Sequence, residues 1–132
     1  MLSAAFRPPA RDTVEVNAPL AYLSAMQIVR TSRYVKDMKR LRASASDMAR
    51  LEAEIAANPQ AGDVIPGLSG LRKIRFALGG KGKRGGGRAI YVLRVSDELA
   101  ILVFAYSKST QEDLTPEQRK AALALIREMN DG

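Results

Sequence analysis

The residues best suited to chemistry in this sequence are basic, and they lie close together. No Asp or Glu occurs between Val64 and Ser96. The same stretch contains Arg72, Lys73, Arg75, Lys81, Lys83, Arg84, Arg88 and Arg94. Protein surfaces ordinarily mix charges of both signs. A segment of one sign therefore predicts a binding site for a polyanion, and the alternative is a basic face that contacts only solvent.

The sequence contains no cysteine and no histidine. Disulfides, thiolate nucleophiles and Cys-based metal sites are therefore excluded, and the usual general base of a nuclease is missing. A zinc site would need carboxylates alone, which is unusual, and the adjacent Glu112 and Asp113 are better suited to a helix N-terminus. We therefore expect no metal and no cofactor, and any catalysis must use Lys, Arg, Tyr, Asp, Glu, Ser or Thr.

The overall charge points to the same class of partner. The chain has a net charge of +7 and a pI near 10.1, which favours nucleic acid, the ribosome or an acidic membrane surface. No apolar run is long enough to span a bilayer, and the N-terminus lacks the regions of a signal peptide. Together with the absence of cysteine, this favours a cytoplasmic protein without a membrane partner.

Alternation of side chains places the central cations on one face of a predicted strand. Residues 72–78 alternate, with Ile74, Phe76 and Leu78 on one face and Lys73 and Arg75 on the other. If the apolar side chains face the core, the basic pair faces solvent or a groove. Arg88 begins the next predicted strand, so it is expected to approach Lys73 and Arg75 across the hairpin.

The connection between these two strands is rich in glycine and contains Lys81, Lys83 and Arg84. It is not a P-loop, because no Lys-Ser/Thr pair follows at the required spacing and no helix begins there. Glycines allow the backbone to approach phosphates closely. We therefore expect a mobile tip whose backbone and lysine side chains approach phosphates, the alternative being a flexible hairpin tip without a specific role.

Three further residues are candidates for contacts to RNA. Tyr91 and Tyr106 lie on adjacent predicted strands, where a tyrosine either stacks on a base or packs in the core with its hydroxyl at the edge. Lys108 follows the last predicted strand, at the end where the basic face should lie. Its alternative is a solvated loop lysine.

The elements that must position these residues form an α+β fold. The patterns predict a strand at Gln27–Thr31, helices at about 32–42 and up to Asn58, strands at 72–78, 88–95 and 99–106, and a helix from Pro116 to about Met129. We expect the helical hairpin and the last helix to pack on an antiparallel sheet, with residues 99–106 as its central strand. Residues 26–132 form this domain. Residues 1–25 are either a loosely ordered extension or lie upstream of a true start at Met26.

Several segments in order resemble the RelE/ParE superfamily of toxins, and specifically its HigB-like RelE branch. They cover about half the chain: Asn58–Asp63, Ile65–Gly67, Gly70–Arg75, Gly80–Lys83, Gly86–Tyr91, Ala105–Lys108 and Gln111–Gln118. The resemblance implies a small RelE-like fold and an mRNA interferase that acts in the A site of the small (30S) ribosomal subunit. It also implies a cognate antitoxin, expected to be HigA-like with a helix-turn-helix.

The resemblance further implies metal-free cleavage by attack of a 2′-hydroxyl on the adjacent phosphodiester. Family positions match Lys73, Arg75 and Arg88 as catalytic residues and Lys108 approximately as a basic residue after the last strand. We expect Lys73 to transfer protons and Arg75 and Arg88 to stabilise the phosphate, while Arg72, Lys81, Lys83 and Arg84 bind RNA or the ribosome.

One departure leaves the acid and base open. Some RelE-type toxins carry a catalytic tyrosine near the C-terminus, and residues 111–115 contain none. Tyr91 or Tyr106 substitutes for it, or this branch works without one. Two other functions also stay open: a ParE-like gyrase inhibitor of the same fold, which does not need a cationic cluster, and a non-catalytic nucleic-acid-binding module.

Overall fold

The computed structural model describes residues 26–79, 86–94 and 98–131. The expectations for residues 1–25 and for the tip cations Lys81, Lys83 and Arg84 therefore lie outside the described residues.

The described elements follow the predicted order. In sequence they are β1 (Gln27–Arg30), α1 (Ser32–Arg40), α2 (Ala45–Ala57), β2 (Asp63–Val64), β3 (Arg72–Phe76), β4 (Gly87–Arg94), β5 (Leu99–Ser107) and α3 (Pro116–Asp131). This arrangement confirms the predicted α+β fold. The short strand β2, within a segment predicted as a loop, is an addition to it. No described helix is long and apolar enough to cross a membrane.

Local hydrogen bonds explain where the helices begin. Thr31 caps α1, because its side chain accepts a bond from the Tyr34 backbone N–H, whereas Ser32, which the sequence also suits to this role, is the first residue of the helix. Ser44 and Asp47 form a reciprocal capping box at the start of α2. A second reciprocal pair, between Thr115 and Gln118, begins α3 as predicted.

The sheet has the strand order β1-β5-β4-β3-β2. Its pairs are antiparallel except for β1 and β5, which run parallel. The central strand is β4, which corrects the prediction that residues 99–106 lie at the centre. Strand β5 is apolar on both faces because β1 covers its outer edge and layers pack on both of its sides.

Both faces of the sheet are covered, by different elements. One face, here called the hairpin face, packs against the helical hairpin of α1 and α2, with a core that includes Tyr34, Leu51, Ile74 and Tyr91. The other, here called the α3 face, packs against α3 and the segment before β3, with a core that includes Leu71, Ile90, Phe104 and Ile126. Because side chains alternate along β3 and β4, Lys73, Arg75 and Arg88 belong to the α3 face.

Candidate functional site

A cleft of about 440 Å³ opens beside strand β3, and it brings together most of the predicted cations. Ligand sites in proteins commonly have volumes of this order. Its lining residues are Glu54, Ala61, Asp63, Lys73, Ile74, Arg75, Arg88, Lys108 and Glu112. The three proposed catalytic residues and Lys108 therefore meet in one place, although three different strands or their ends position them.

Two arginines face each other on neighbouring strands in this cleft. Arg75 on β3 is the register partner of Arg88 on β4, and Arg88 in turn is the register partner of Tyr106 on β5. Like charges directly opposite one another destabilise a sheet. An arrangement that costs stability at the wall of a cleft is typical of a functional site.

Arg88 is the most enclosed cation of the cleft. Its residue is 6% exposed, and its guanidinium donates a hydrogen bond to the Gly87 carbonyl at 3.0 Å. Burial lowers the pKa of Arg88, and the nearby Arg75 lowers it further. Arg75 itself is exposed and makes no ion pair with any residue within the described ranges. A bound anion would relieve the repulsion between the two guanidinium groups.

The two lysines of the cleft contact carboxylates from the segment between β5 and α3. Lys73 Nζ lies 3.6 Å from Asp113 Oδ1, and Lys108 Nζ lies 3.7 Å from Glu112 Oε2. Asp113 also contacts the guanidinium of Arg119, at 3.3 Å. These ion pairs are long and largely exposed, so each contributes little stability.

Asp113 and Arg119 are site residues that sequence reasoning did not select. The side chain of Asp113 accepts a hydrogen bond from the Leu114 backbone N–H at 2.8 Å, close to the helix-terminus role predicted for it. That bond lowers the pKa of Asp113, and Lys73 and Arg119 lower it further. The signal for Arg119 was its position in the first turn of α3, but only the topology places that turn beside β3.

Two residues predicted to contact RNA, Arg72 and Tyr91, instead make hydrogen bonds within the protein. The Arg72 guanidinium donates to the Gly62 carbonyl at 2.7 Å and so holds the loop before β2. Tyr91 is completely buried. The Tyr91 hydroxyl accepts a hydrogen bond from the Gly62 backbone N–H and donates one to the Pro59 carbonyl. Tyr91 is therefore a core residue and is removed from the candidates for stacking on RNA.

Tyr106 is buried as well, but its hydroxyl is not satisfied. The residue is 3% exposed, and its hydroxyl has no hydrogen-bond partner among the described residues. Burial raises the pKa of Tyr106, and Asp113 raises it further, whereas Arg88 and Arg119 act in the opposite direction. Within the described part of the chain, no group of three or more His, Cys, Asp or Glu side chains is placed to hold a metal ion.

Two solved structures are similar to this chain, and the first of them agrees with this fold. The chain shares 16% identity with the structure of the E. coli toxin RelE, a double arginine-to-alanine mutant in the free state, with a TM-score of 0.52 over 77% of this chain and 98% of that one. The solution structure of the conserved hypothetical protein HP0892 from Helicobacter pylori also matches at 16% identity, with a TM-score of 0.45 over 64% of this chain and 96% of that one.

The family assignment comes from the sequence over the whole described fold. Residues 26–131 match the family described as the RelE toxin of the RelE/RelB toxin–antitoxin system. This range contains every strand and helix given above, and it contains all the residues of the cleft. An antitoxin partner is implied by such a system. The chain belongs to the RelE toxin family.

Proposed function

We propose that this toxin is a ribosome-dependent endoribonuclease of the HigB-like branch that cleaves mRNA in the A site of the small subunit. The observation that carries the proposal is the convergence of Lys73, Arg75, Arg88 and Lys108 in one cleft. A gyrase inhibitor has no need of such a cluster, whereas phosphoryl transfer gathers negative charge that fixed cations stabilise. The proposed activity belongs in the cytoplasm, where ribosomes and mRNA are found.

The reaction we propose is an internal transesterification. The 2′-hydroxyl loses its proton to the neutral amine of Lys73 and attacks the adjacent phosphorus. The bond from phosphorus to the 5′ oxygen breaks, and the 5′ oxygen takes a proton from water and leaves as a hydroxyl. The upstream product carries a 2′,3′-cyclic phosphate, and it carries a 3′ phosphate only after a water molecule has hydrolysed the cyclic diester. Arg75 and Arg88 stabilise the charge on the phosphoryl oxygens, since they face the same side of the sheet.

The remaining cations serve binding. Lys108 lines the cleft and reaches the RNA backbone near the reacting phosphate. Lys81, Lys83 and Arg84 of the hairpin tip bind the mRNA or ribosomal RNA backbone, and Arg72 supports the cleft by holding the loop at Gly62. The antitoxin partner is proposed to be HigA-like and to carry a helix-turn-helix.

A translating extract tests the activity directly. Wild-type protein should cleave mRNA when ribosomes are present and leave the same mRNA intact when they are absent. Removal of one transition-state donor typically costs on the order of 10²–10³ in rate, so Arg88→Ala should lose about that factor. Lys73→Ala should also lose most activity.

Matched controls separate the cleft from a general loss of positive charge. Arg127→Ala and Lys120→Ala remove exposed cations from α3 outside the cleft, and both should cleave at the wild-type rate. All four variants should keep the wild-type circular dichroism spectrum. Inhibition of supercoiling with intact mRNA would establish the gyrase function instead, and RNA binding without cleavage would establish a binding module.

A further inference from the structure

The buried hydroxyl of Tyr106 is the polar group of the α3 face that the proposed reaction does not use. A buried hydroxyl without a hydrogen bond costs free energy, and native proteins retain few such groups without a reason. Phenylalanine would fill the same space without this cost. The hydroxyl therefore indicates a hydrogen-bond acceptor that the described part of the chain does not supply.

Charged residues lie near Tyr106. Arg88 is its register neighbour across strands β4 and β5. Tyr106 also packs in one core cluster with Leu114, which follows Asp113 in the chain, and with Ala122, which lies one turn along α3 from Arg119. Asp113 and Arg119 shift the pKa of Tyr106 in opposite directions. The hydroxyl can donate one proton, and two of its three charged neighbours are cations. An incoming group that suits this environment is an anion with several acceptor oxygens.

Asp113 lies where such an anion would bind. Its carboxylate contacts the Arg119 guanidinium at 3.3 Å and the Lys73 ammonium at 3.6 Å. Both contacts are longer than a charge-assisted hydrogen bond of ideal length, and the Asp113 side chain is half exposed. The Asp113 carboxylate also accepts a 2.8 Å hydrogen bond from the Leu114 backbone N–H, and that N–H can turn to water when the side chain moves. An incoming phosphate that bonds Arg119 and Lys73 offsets the loss of this bond and of the two weak ion pairs, and it leaves Arg119 and Lys73 without their carboxylate.

We propose that Arg119 and the Tyr106 hydroxyl form a second phosphate subsite beside the reaction centre, which Asp113 occupies in the free toxin and an RNA phosphate occupies in the complex. The nature of the ligand rests on the proposed function. The displacement has a chemical consequence, because Asp113 then releases Lys73 for proton transfer. Binding of RNA and assembly of the reaction centre are thus coupled through one carboxylate.

A phosphate of an RNA chain fits this subsite better than an isolated anion. The subsite adjoins a cleft whose cations Lys73, Arg75, Arg88 and Lys108 already suit a phosphodiester. Neighbouring phosphates of one strand can therefore engage both places at once. A guanidinium fork with an added hydroxyl donor matches the oxygens of a phosphate group.

The first test compares Asp113→Asn with Glu128→Gln by affinity for a short single-stranded RNA. The RNA carries 2′-O-methyl groups, so attack by a 2′-hydroxyl is blocked. Glu128 is exposed on α3 away from the cleft, and its change alters the net charge equally. Asp113→Asn should bind roughly three- to fivefold more tightly, and Glu128→Gln should stay within the wild-type error. Equal gains in the two variants would mean that only net charge matters, and would overturn the proposal.

The second test asks whether Arg119 is the site of competition. Arg119→Gln should weaken binding, and adding Asp113→Asn to Arg119→Gln should give a clearly smaller gain than in the wild type, since only the contact of Asp113 with Lys73 then remains to be released. Arg127→Gln provides the matched control for a lost exposed arginine of α3. A full gain from Asp113→Asn in the Arg119→Gln background would overturn the subsite.

The third test addresses the hydroxyl. Tyr106→Phe should weaken RNA binding roughly threefold, in the range of one neutral hydrogen bond, while the free energy of unfolding does not fall. Unchanged affinity would remove Tyr106 from the subsite. Cleavage of mRNA by the wild type on ribosomes is measured in parallel. If the wild type cleaves mRNA but the variants do not change RNA affinity as expected, the proposed function holds and the subsite is rejected. If the affinities change as expected but the wild type does not cleave mRNA, only the proposed function is rejected.

Discussion

The two faces of the sheet differ in whether their buried polar groups have hydrogen-bond partners among the described residues. On the hairpin face, the Tyr91 hydroxyl contacts Gly62 N–H and the Pro59 carbonyl. The buried Asp37 carboxylate accepts bonds from the Ala105 backbone N–H and from Arg40. On the α3 face, the Tyr106 hydroxyl has no partner within the described chain, and Arg88 faces Arg75.

We interpret this difference as a division between polar groups that specify the fold and polar groups that can bind a ligand. A satisfied network rigidifies a core, whereas an unsatisfied one costs stability. Natural proteins accept such costs mainly where function requires them. The hairpin face should therefore lose stability when its polar groups are changed, and the α3 face should lose binding or activity.

The largest expected loss of stability comes from Asp37→Ala. Strand β1 pairs with β5 only as far as Leu102, so Asp37 replaces a strand as the acceptor for Ala105 N–H, at 3.0 Å. Removal leaves a buried donor unsatisfied and should cost about 2–3 kcal/mol of unfolding free energy in urea titrations. Asp37→Asn, which keeps an acceptor oxygen, should lose less.

The matched change on the α3 face is Asp113→Ala. Its carboxylate is half exposed and its ion pairs are long, and the Leu114 N–H that it accepts from can bond to water instead, so the loss should stay at about 1 kcal/mol or less. Equal losses for Asp37→Ala and Asp113→Ala would contradict the division between the two faces.

The two buried tyrosines give the sharpest single comparison. Tyr91→Phe leaves the Gly62 N–H and the Pro59 carbonyl without their buried partner, and should cost about 1–3 kcal/mol. Tyr106→Phe removes an unsatisfied hydroxyl from a buried site, so stability should be unchanged or slightly higher. Thermal unfolding of both variants by circular dichroism measures the difference, and a larger loss for Tyr106→Phe would show that its hydroxyl already has a structural role.

Sequence patterns predicted the order of the elements because each one has a clear local signal. Period-two alternation placed Ile74 and Phe76 in the core and Lys73 and Arg75 on the opposite face, and the structure agrees. The position of Arg88 at the start of a strand was enough to predict that it approaches them. The strand order was less accessible, since the parallel pairing of β1 with β5 depends on residues far apart in sequence.

The same patterns could not tell Tyr91 from Tyr106. Alternation assigns a side chain to a face, but it does not show that the loop at Gly62 folds over Tyr91. That loop approaches so closely that a Cβ on Gly62 would lie 2.8 Å from the Tyr91 ring. Asp113 and Arg119 were missed for a related reason, because their contact with Lys73 exists only once α3 begins beside β3.

The smallest expected effect is the loss of unfolding free energy at acid pH, which again differs between a carboxylate of the hairpin face and one of the α3 face. Asp47, buried on the hairpin side, accepts a bond from the Ser44 backbone N–H, which lowers the pKa of Asp47, and a bond from Gly79 lowers it further. A carboxyl whose pKa is lower in the folded state stabilises the fold above its unfolded pKa of about 3.9. That stabilisation is lost as the pH falls through the folded value.

Urea titrations from neutral pH down to about pH 3 should therefore show a decline in unfolding free energy that starts near the unfolded carboxyl pKa. In Asp47→Asn the decline should be shallower, with stability already lower at neutral pH, because the titrating group is gone. Asp113→Asn should change the slope less, since the pKa of Asp113 is lowered as well but solvent screens its half-exposed side chain. If Asp113→Asn flattened the decline more than Asp47→Asn, the α3 face would hold the stronger structural carboxylate, and Asp113 would be too firmly bound to give way to a phosphate.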